Sequence, residues 1–263
     1  MPKISIITVN LNNANGLERT INSVFSQKFT DFEYLIMDGG STDSSKEVIE
    51  RNSYRLGYWA SENDAGIYNA MNKGIYNSKG DYLLFLNSGD HLRDDAALED
   101  LAAYLDGTDI IYGNTLLIES NIKSWIGHHP EILTFSFFVD CTLPHAASFI
   151  KRSLFDQVGL YDENLVICAD WKFFLNAVCR YNVTYKFVDR VISVFYLDGI
   201  SSTGNSQAII EKEKASVLKK DYPLFLQMHE ELSRYKKPKK EPFKKMIIRI
   251  KYRLRRHGII KEV

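Results

Sequence analysis

What narrows this chain most is the alternation, from Ile4 to Tyr112, of short apolar strands with amphipathic helices, each strand running out into a polar turn. Ile4 to Val9 reads as a buried strand, Asn10 to Asn15 as a polar turn, and Leu17, Ile21, Val24 and Phe25 as one helix face. Phe32 to Met37 is a second strand, ending at Asp38-Gly39-Gly40, after which Ser41 or Thr42 is expected to cap a helix through Val48 and Ile49. A strand at Leu56 to Ala60, a helix near Ile67 to Tyr76, a strand at Tyr82 to Leu86, a helix near Ala96 to Leu105 and a strand at Asp109 to Tyr112 continue the series. Such alternation implies an α/β chain with a largely parallel sheet and helices on both faces. Ligands of such sheets bind beyond the carboxyl ends of the strands, where Asn10, Asp38 and Asp90 would collect.

The second half is less regular. We expect a hairpin around Ile111 to Lys123, an aromatic segment Phe135 to Phe138, helices near Arg152 to Val158 and Asp170 to Tyr181, and strands at Val183 to Val188 and Val191 to Tyr196. With 263 residues, 45% hydrophobic and 25% charged, the chain has material for one large α/β unit or two closely joined lobes. That composition excludes disordered, collagen-like and coiled-coil classes. Cys141, Cys168 and Cys179 form no C-x-x-C pair and suit a reducing compartment, so they read as buried thiols. The apolar run after Met1 is too short for a signal peptide, and no later stretch is long enough to span a bilayer.

Zero net charge conceals an asymmetry. Residues 235–263 carry 12 Lys/Arg against Glu241 and Glu262, which leaves 21 bases and 31 acids in residues 1–234. Phe243, Met246, Ile247, Ile250 and Leu254 recur at helical spacing among those bases, the pattern of an amphipathic basic helix that can lie on an anionic membrane surface. A solvated charge run, or a helix docked on the acidic body, fits the same residues. An aliphatic stripe offers no stacking platform, so nucleic acid is not an expected partner. We therefore divide the chain into a body, 1–234, and a basic tail, 235–263.

Several turns carry possible chemistry. Leu83-Leu84-Phe85-Leu86-Asn87-Ser88-Gly89-Asp90 sets an acid just past an apolar strand, where it could hold Mg²⁺ or Mn²⁺ against a diphosphate or simply close a turn. Asp38-Gly39-Gly40-Ser41-Thr42-Asp43 opens a helix whose N–H groups suit phosphate, although neither G-x-G-x-x-G nor a P-loop is present. Residues 61–74 gather Asp64, Asn69, Asn72 and Lys73 about a Gly-opened helix; Asp64 could accept from a sugar hydroxyl and Lys73 could face phosphate, or the segment is an exposed capped helix. Asp170, beside Trp171, Phe173 and Phe174, suits a general base next to a sugar-stacking ring, and equally an N-cap. His145 begins an apolar strand and reads as structural; His91, His128 and His129 lack partners at zinc-ligand spacing.

Taken together, these segments resemble family 2 glycosyltransferases, inverting enzymes with the nucleotide-binding GT-A fold. Ile4 to Asn10 resembles the first-strand nucleotide motif, Asp38 to Asp43 the second, and Asn87-Ser88-Gly89-Asp90 stands in the place of the metal-binding D-x-D. Residues 61–74 resemble bacterial polysaccharide-assembly members such as those of capsule and O-antigen synthesis; His145 to Phe149, Gly159 to Glu163 and Ala169-Asp170 resemble the acceptor-side half. The resemblance covers residues 3–200 and implies a donor half at 1–115, an acceptor half at 116–205 and a helical extension at 206–234. It implies that Thr8, Asn10, Asp38, Asp64, Asn69, Lys73, Asn87 and Ser88 serve a nucleotide-diphosphate sugar, UDP-linked by preference. Asp90 would hold Mn²⁺ or Mg²⁺, Asp170 would be the catalytic base, and His145 and Trp171 would lie on the acceptor side. Asn87 and Gly89 replace acids often found in the metal motif, and Ala169 stands where an acid commonly precedes the base. A glycan or lipid-linked acceptor at the cytoplasmic face of the inner membrane is the expected setting. A sugar-1-phosphate nucleotidyltransferase would need a basic loop after the first strand, which Asn10 to Gly16 lacks. A non-catalytic nucleotide-sugar or membrane-binding module is the other alternative.

Overall fold

The computed structural model describes residues 2–120, 123–197, 199 and 206–236. The expected hairpin tip at 121–122 and residues 237–263, nearly all of the basic tail, lie outside the described residues. In chain order the elements are β1 (Ile4–Asn10), α1 (Ala14–Phe25), β2 (Phe32–Asp38), α2 (Ser45–Asn52), β3 (Tyr58–Ser61), α3 (Ile67–Asn77), β4 (Tyr82–Phe85), β5 (His91–Leu92) and α4 (Ala97–Ala102). There follow β6 (Ile110–Ser120), β7 (Lys123–Gly127), α5 (Phe135–Asp140), β8 (Ser148–Lys151), α6 (Leu154–Val158), α7 (Ala169–Cys179), β9 (Tyr185–Tyr196), α8 (Ser206–Asp221) and α9 (Pro223–Lys236). The chain separates into two compact units, residues 1–221 and 222–263, so the break falls ahead of α9.

The strands form one sheet in the order β3-β2-β1-β4-β8-β6-β9-β5, with β7 paired to β6. Its first four strands are all parallel, which the helical crossovers α1, α2 and α3 allow. Beyond β4, antiparallel β8 enters between β4 and β6, and β9 runs parallel to β6. In register, Asn10 lies opposite Asp38 and Ile7 opposite Phe85, so the carboxyl ends of β1, β2 and β4 reach one rim.

Strands with apolar residues at consecutive positions are covered on both faces. Ile4, Ile6, Tyr34, Ile36 and Leu84 join Leu17, Ile21 and Val24 of α1 and Val48 and Ile49 of α2 in one cluster, extended by Leu98 and Leu101 of α4. On the other face Ile7 meets α3 so closely that a Cβ on Gly74 would sit 2.5 Å from its Cγ2. Each such aliphatic side chain contributes on the order of 1.5–3 kcal/mol by leaving water.

Three expectations change. The two expected strands are one, β9, starting at Tyr185 rather than Val183: Val188, Asp189 and Arg190 look like a turn, yet they fill a register shift where Tyr112 pairs with Phe187 and Asn114 with Val191. Neither Ser41 nor Thr42 caps α2, whose first N–H, from Ser45, is accepted by Asp43 Oδ1 at 3.0 Å. Cys141 is exposed rather than buried, at the polar end of the short α5.

Candidate active site

At the end of β2 the Asp38 carboxylate is the centre of a closed hydrogen-bond set. Oδ1 accepts from Asn10 Nδ2 at 2.7 Å and from the Ser41 hydroxyl at 2.6 Å. Oδ2 accepts from the Ser41 backbone N–H at 3.0 Å and the Ser61 hydroxyl at 2.7 Å. Burial alone would push this carboxyl up; the four bonds outweigh it and hold the group below its ordinary value. Above it, the Asp43 carboxylate ties the starts of two helices together, accepting from Ala14 N–H at 2.9 Å as well as from Ser45. Asp64 lies against Gly39, where a Cβ would come within 2.6 Å of its Oδ2. Leu11, 59% exposed, borders the same glycine. An apolar side chain and a carboxylate thus flank a glycine floor, a slot suited to the plane and edge of a heterocyclic base.

One strand over, β1 and β4 hold the second half of the rim. Leu86 N–H donates to Ile7 O at 2.9 Å and Ser88 N–H to Val9 O at 3.1 Å, so the turn Asn87 to Asp90 leaves the sheet beside Asn10. Gly89 turns with φ of 107°, a conformation side chains rarely adopt. Thr20 of α1 pins the turn from below, its hydroxyl donating to Asp90 O at 2.6 Å. Arg19 clasps it from the side, with Nε and Nη2 donating to Gly89 O at 2.9 and 2.6 Å and the guanidinium 4.0 Å from the Tyr196 ring centroid. The Asn10 and Asn87 amide oxygens are buried and have no protein donor. Buried acceptors left open at adjacent strand ends mark where a ligand donor or a cation completes the site.

A divalent cation fits this turn on the chemistry of its donors. Among the described residues no three His, Cys, Asp or Glu side chains group as a cation cage. The residue types in the turn, the Asp90 carboxylate and the unpartnered Asn87 amide oxygen, are the oxygen donors that Mg²⁺ or Mn²⁺ takes alongside substrate phosphates and water.

At the carboxyl end of β4 lies a buried aromatic cluster. The His145 ring stacks on Phe85, at the carboxyl end of β4, with centroids 4.7 Å apart, and its Nε2 hydrogen-bonds the Tyr161 hydroxyl at 2.8 Å. Burial holds the His145 imidazole below its usual range, hence neutral. Tyr68 of α3 packs on Tyr161 at 5.7 Å, and its hydroxyl lies 3.1 Å from Asp170 Oδ1 while also donating to Ile167 O. Burial first, then the Asp170 charge, raise the phenols of Tyr68 and Tyr161, so both stay protonated. The loop leading to Asp170 is zipped to α3: Asn72 Nδ2 donates to Tyr161 O at 3.0 Å and Glu163 Oε1 at 2.7 Å, and Asn72 Oδ1 accepts from Tyr161 N–H at 3.0 Å.

The structure places the expected site residues in several different surroundings. Thr8 is wholly buried, held by the Tyr34 hydroxyl and Leu86 O, and lies beneath the site instead of lining it. Asn69 gives its amide to Glu163 at 2.9 Å, and Lys73 pairs with Glu62 at 2.7 Å, so each braces the loops. Trp171 is 1% exposed and donates to Phe138 O, a core residue that offers no face to a sugar. Asp170 is not a cap: Cys168 is the N-cap of α7, and Asp170 sits within the first turn. Ser88 meets Asn13, which donates from Nδ2 to Ser88 O at 3.1 Å. Arg19 and the Tyr68 hydroxyl were not singled out from the sequence; the one available signal was an unpaired-looking base, Arg19, on an otherwise neutral helix face.

The profile described as "Glycosyl transferase family 2" matches residues 5–160. An uncharacterized glycosyltransferase of Mycobacterium tuberculosis is 31% identical over 231 residues, covering 84% of this chain and 86% of that protein. A PGL/p-HBAD biosynthesis glycosyltransferase of Mycobacterium bovis is 29% identical over 218 residues, covering 81% and 82%. Among solved structures, Staphylococcus aureus TarS 1–349 in complex with UDP-GlcNAc superposes with a TM-score of 0.64 at 19% identity, covering 83% of this chain and 67% of that one. The mannosyltransferase PcManGT of Pyrobaculum calidifontis, in complex with GDP-Man and Mn²⁺, gives 0.59 at 13% identity, covering 76% of this chain and 59% of that one. These structures share the GT-A type fold with this chain.

Proposed function

Since the chain belongs to glycosyl transferase family 2, we propose that it moves a hexosyl or N-acetylhexosaminyl group from a UDP-sugar to a hydroxyl of a glycan or lipid-linked acceptor, with inversion, in bacterial cell-surface polysaccharide assembly. What supports this is a set of unpartnered amide oxygens, on Asn10 and Asn87, at the strand ends that carry Asp38 and lead to Asp90, together with the Asp170 carboxylate held by the Tyr68 hydroxyl; we take the two to face one cleft. In the proposed step Asp170 takes the proton of the acceptor hydroxyl as its oxygen attacks the anomeric carbon. The new C–O bond forms opposite the breaking bond, and the nucleoside diphosphate leaves with that electron pair. Tyr68 engages Oδ1 and leaves Oδ2 for the acceptor. The neutral His145–Tyr161 pair keeps the aromatic cluster rigid without adding a competing charge. A cation held by Asp90 would supply charge neutralisation at the leaving diphosphate.

A panel of UDP-, GDP- and dTDP-sugars with and without Mn²⁺, read by thermal shift and by released nucleoside diphosphate, tests this. A UDP-sugar with Mn²⁺ at 100 times its Kd stabilises by about 2.7 kcal/mol, a rise of about 5–10 °C for a chain this size. No shift with any donor, and no release above background, would end the reading.

We extend the proposal to an anionic membrane surface as partner of residues 235–263. In α9, Leu224, Met228 and Leu232 recur on one helix face and are 72%, 60% and 55% exposed, and the excess of ten positive charges follows directly. No described helix is long and apolar enough to cross a membrane. The full chain should float with phosphatidylglycerol vesicles and a chain ending at Arg234 should not; equal flotation of the two removes lipid binding by the tail.

A further inference from the structure

Helix α7 begins without help from its own N-terminal side chain, since Cys168 makes no capping hydrogen bond. The free N–H groups ahead of it go instead to Glu213, more than forty residues later on α8. Its Oε1 accepts from Val166 N–H at 2.6 Å, and Oε2 accepts from Ile167 N–H at 3.1 Å and Cys168 N–H at 3.0 Å. Three successive N–H groups closing on one carboxylate make a nest at the positive end of the helix, where negative charge is favoured. Burial first, then the charges of Glu213 and Asp170, push the Cys168 thiol up to about 12, as expected of a neutral group between two acids.

This nest lies one peptide from the proposed base. Ile167, whose N–H is held by Glu213, offers its carbonyl to the Tyr68 hydroxyl, and that same hydroxyl reaches Asp170 Oδ1 at 3.1 Å. The phenol has a single proton to share between carbonyl and carboxylate, so the setting of the Ile167 peptide decides how Tyr68 meets Asp170. We infer that Glu213 is a positioning residue for Asp170: by clamping the 166–168 backbone it fixes both the first turn of α7 and the Tyr68 hydroxyl that orients the carboxylate. The inference rests on the reading of Asp170 as base given above.

The test uses the full chain and compares Glu213→Gln, Glu213→Asp, Asp170→Asn and the double variant Glu213→Gln/Asp170→Asn. A glutamine offers one acceptor oxygen and sets an NH₂ against the remaining N–H groups. Glu213→Gln is expected to lower kcat for transfer by 10-fold or more while KM for the donor stays within 2-fold, and Glu213→Asp to recover part of the loss. In the Asp170→Asn background the Glu213 change should have no further effect on the residual rate, since residues acting as one unit are not additive. Wild-type kcat in Glu213→Gln, a fall in donor affinity equal to the fall in kcat, or full additivity in the double variant each overturns the inference. Should Glu213→Gln fail to fold, Glu213→Asp is read alone: a lowered kcat with unchanged donor KM supports positioning, and any other result overturns it. A wild-type rate in Asp170→Asn would instead overturn the base assignment, so the two failures are told apart.

Discussion

Asp170→Asn is expected to bind donor as the unaltered chain does and to transfer sugar 10²- to 10⁴-fold more slowly, the span typical for loss of a positioned general base. Structure should survive the change. The asparagine Oδ1 can still accept from the Tyr68 hydroxyl, and Asp170 takes no part in capping α7, so no buried donor is stranded. What disappears is the basic oxygen that receives the acceptor proton. Single-turnover transfer, measured alongside donor binding by calorimetry, separates the two effects. Transfer at the original rate with donor binding intact would show that the proton goes elsewhere.

Asp38→Ala should be the most damaging single change on the donor side, and through stability as much as binding. It removes one acceptor of the Asn10 amide and the acceptor of the Ser41 N–H and of the hydroxyls of Ser41 and Ser61 at a site that is 3% exposed. The hydroxyls can turn to other acceptors and the Asn10 amide keeps its 3.2 Å bond to the Ser41 hydroxyl; the Ser41 backbone N–H cannot turn. At about 1–3 kcal/mol for a buried donor left without a partner, a loss of about 1–3 kcal/mol follows, measurable by urea unfolding. The UDP-sugar thermal shift should vanish with it. Asp38→Asn keeps the shape but sets an NH₂ among donors, and should lose about half as much. The sign with pH is fixed by the lowered folded-state value of Asp38. Its contribution is fully present above the ordinary carboxyl value of 3.8 and is lost as pH falls through the folded value. The gap between the two proteins should therefore be constant from pH 7 to 5 and narrow only below about pH 4. Unchanged stability in Asp38→Ala would mean that the four donors find other acceptors and that the loop does not depend on the carboxylate.

The strand-end rim was readable in advance because it is built by short-range means. An apolar strand that stops delivers its next polar residue to the sheet edge, and parallel pairing lines such edges up; Asn10 opposite Asp38, and Asn87 just past β4, follow from that. The surroundings of other residues were not readable where a polar or aromatic side chain had two plausible neighbours. Trp171 and Thr8 occupy positions that could face a ligand, yet helix packing turned one into the core and the β1–β4 pairing covered the other. Lys73 was available to phosphate on pattern and Asn69 to the nucleotide sugar, but Glu62 and Glu163 hold them in this structure. Glu213 on the 166–168 backbone left no trace in spacing, since a side chain accepting from distant main chain can belong to almost any sequence.

By itself, then, the order of residues determined the α/β class, the parallel first half of the sheet, the rim on which a nucleotide-sugar site would form and the segregation of positive charge beyond residue 234. These depend on local periodicity and on how strands pair, both of which are written in nearest neighbours along the chain. Only the tertiary structure decided which of the polar residues near the rim remain open and which are consumed in holding loops together, and how Asp170 is presented. Those outcomes turn on side chains tens of residues apart competing for the same hydrogen bonds, as Tyr68, Ile167, Asp170 and Glu213 do around one turn of helix.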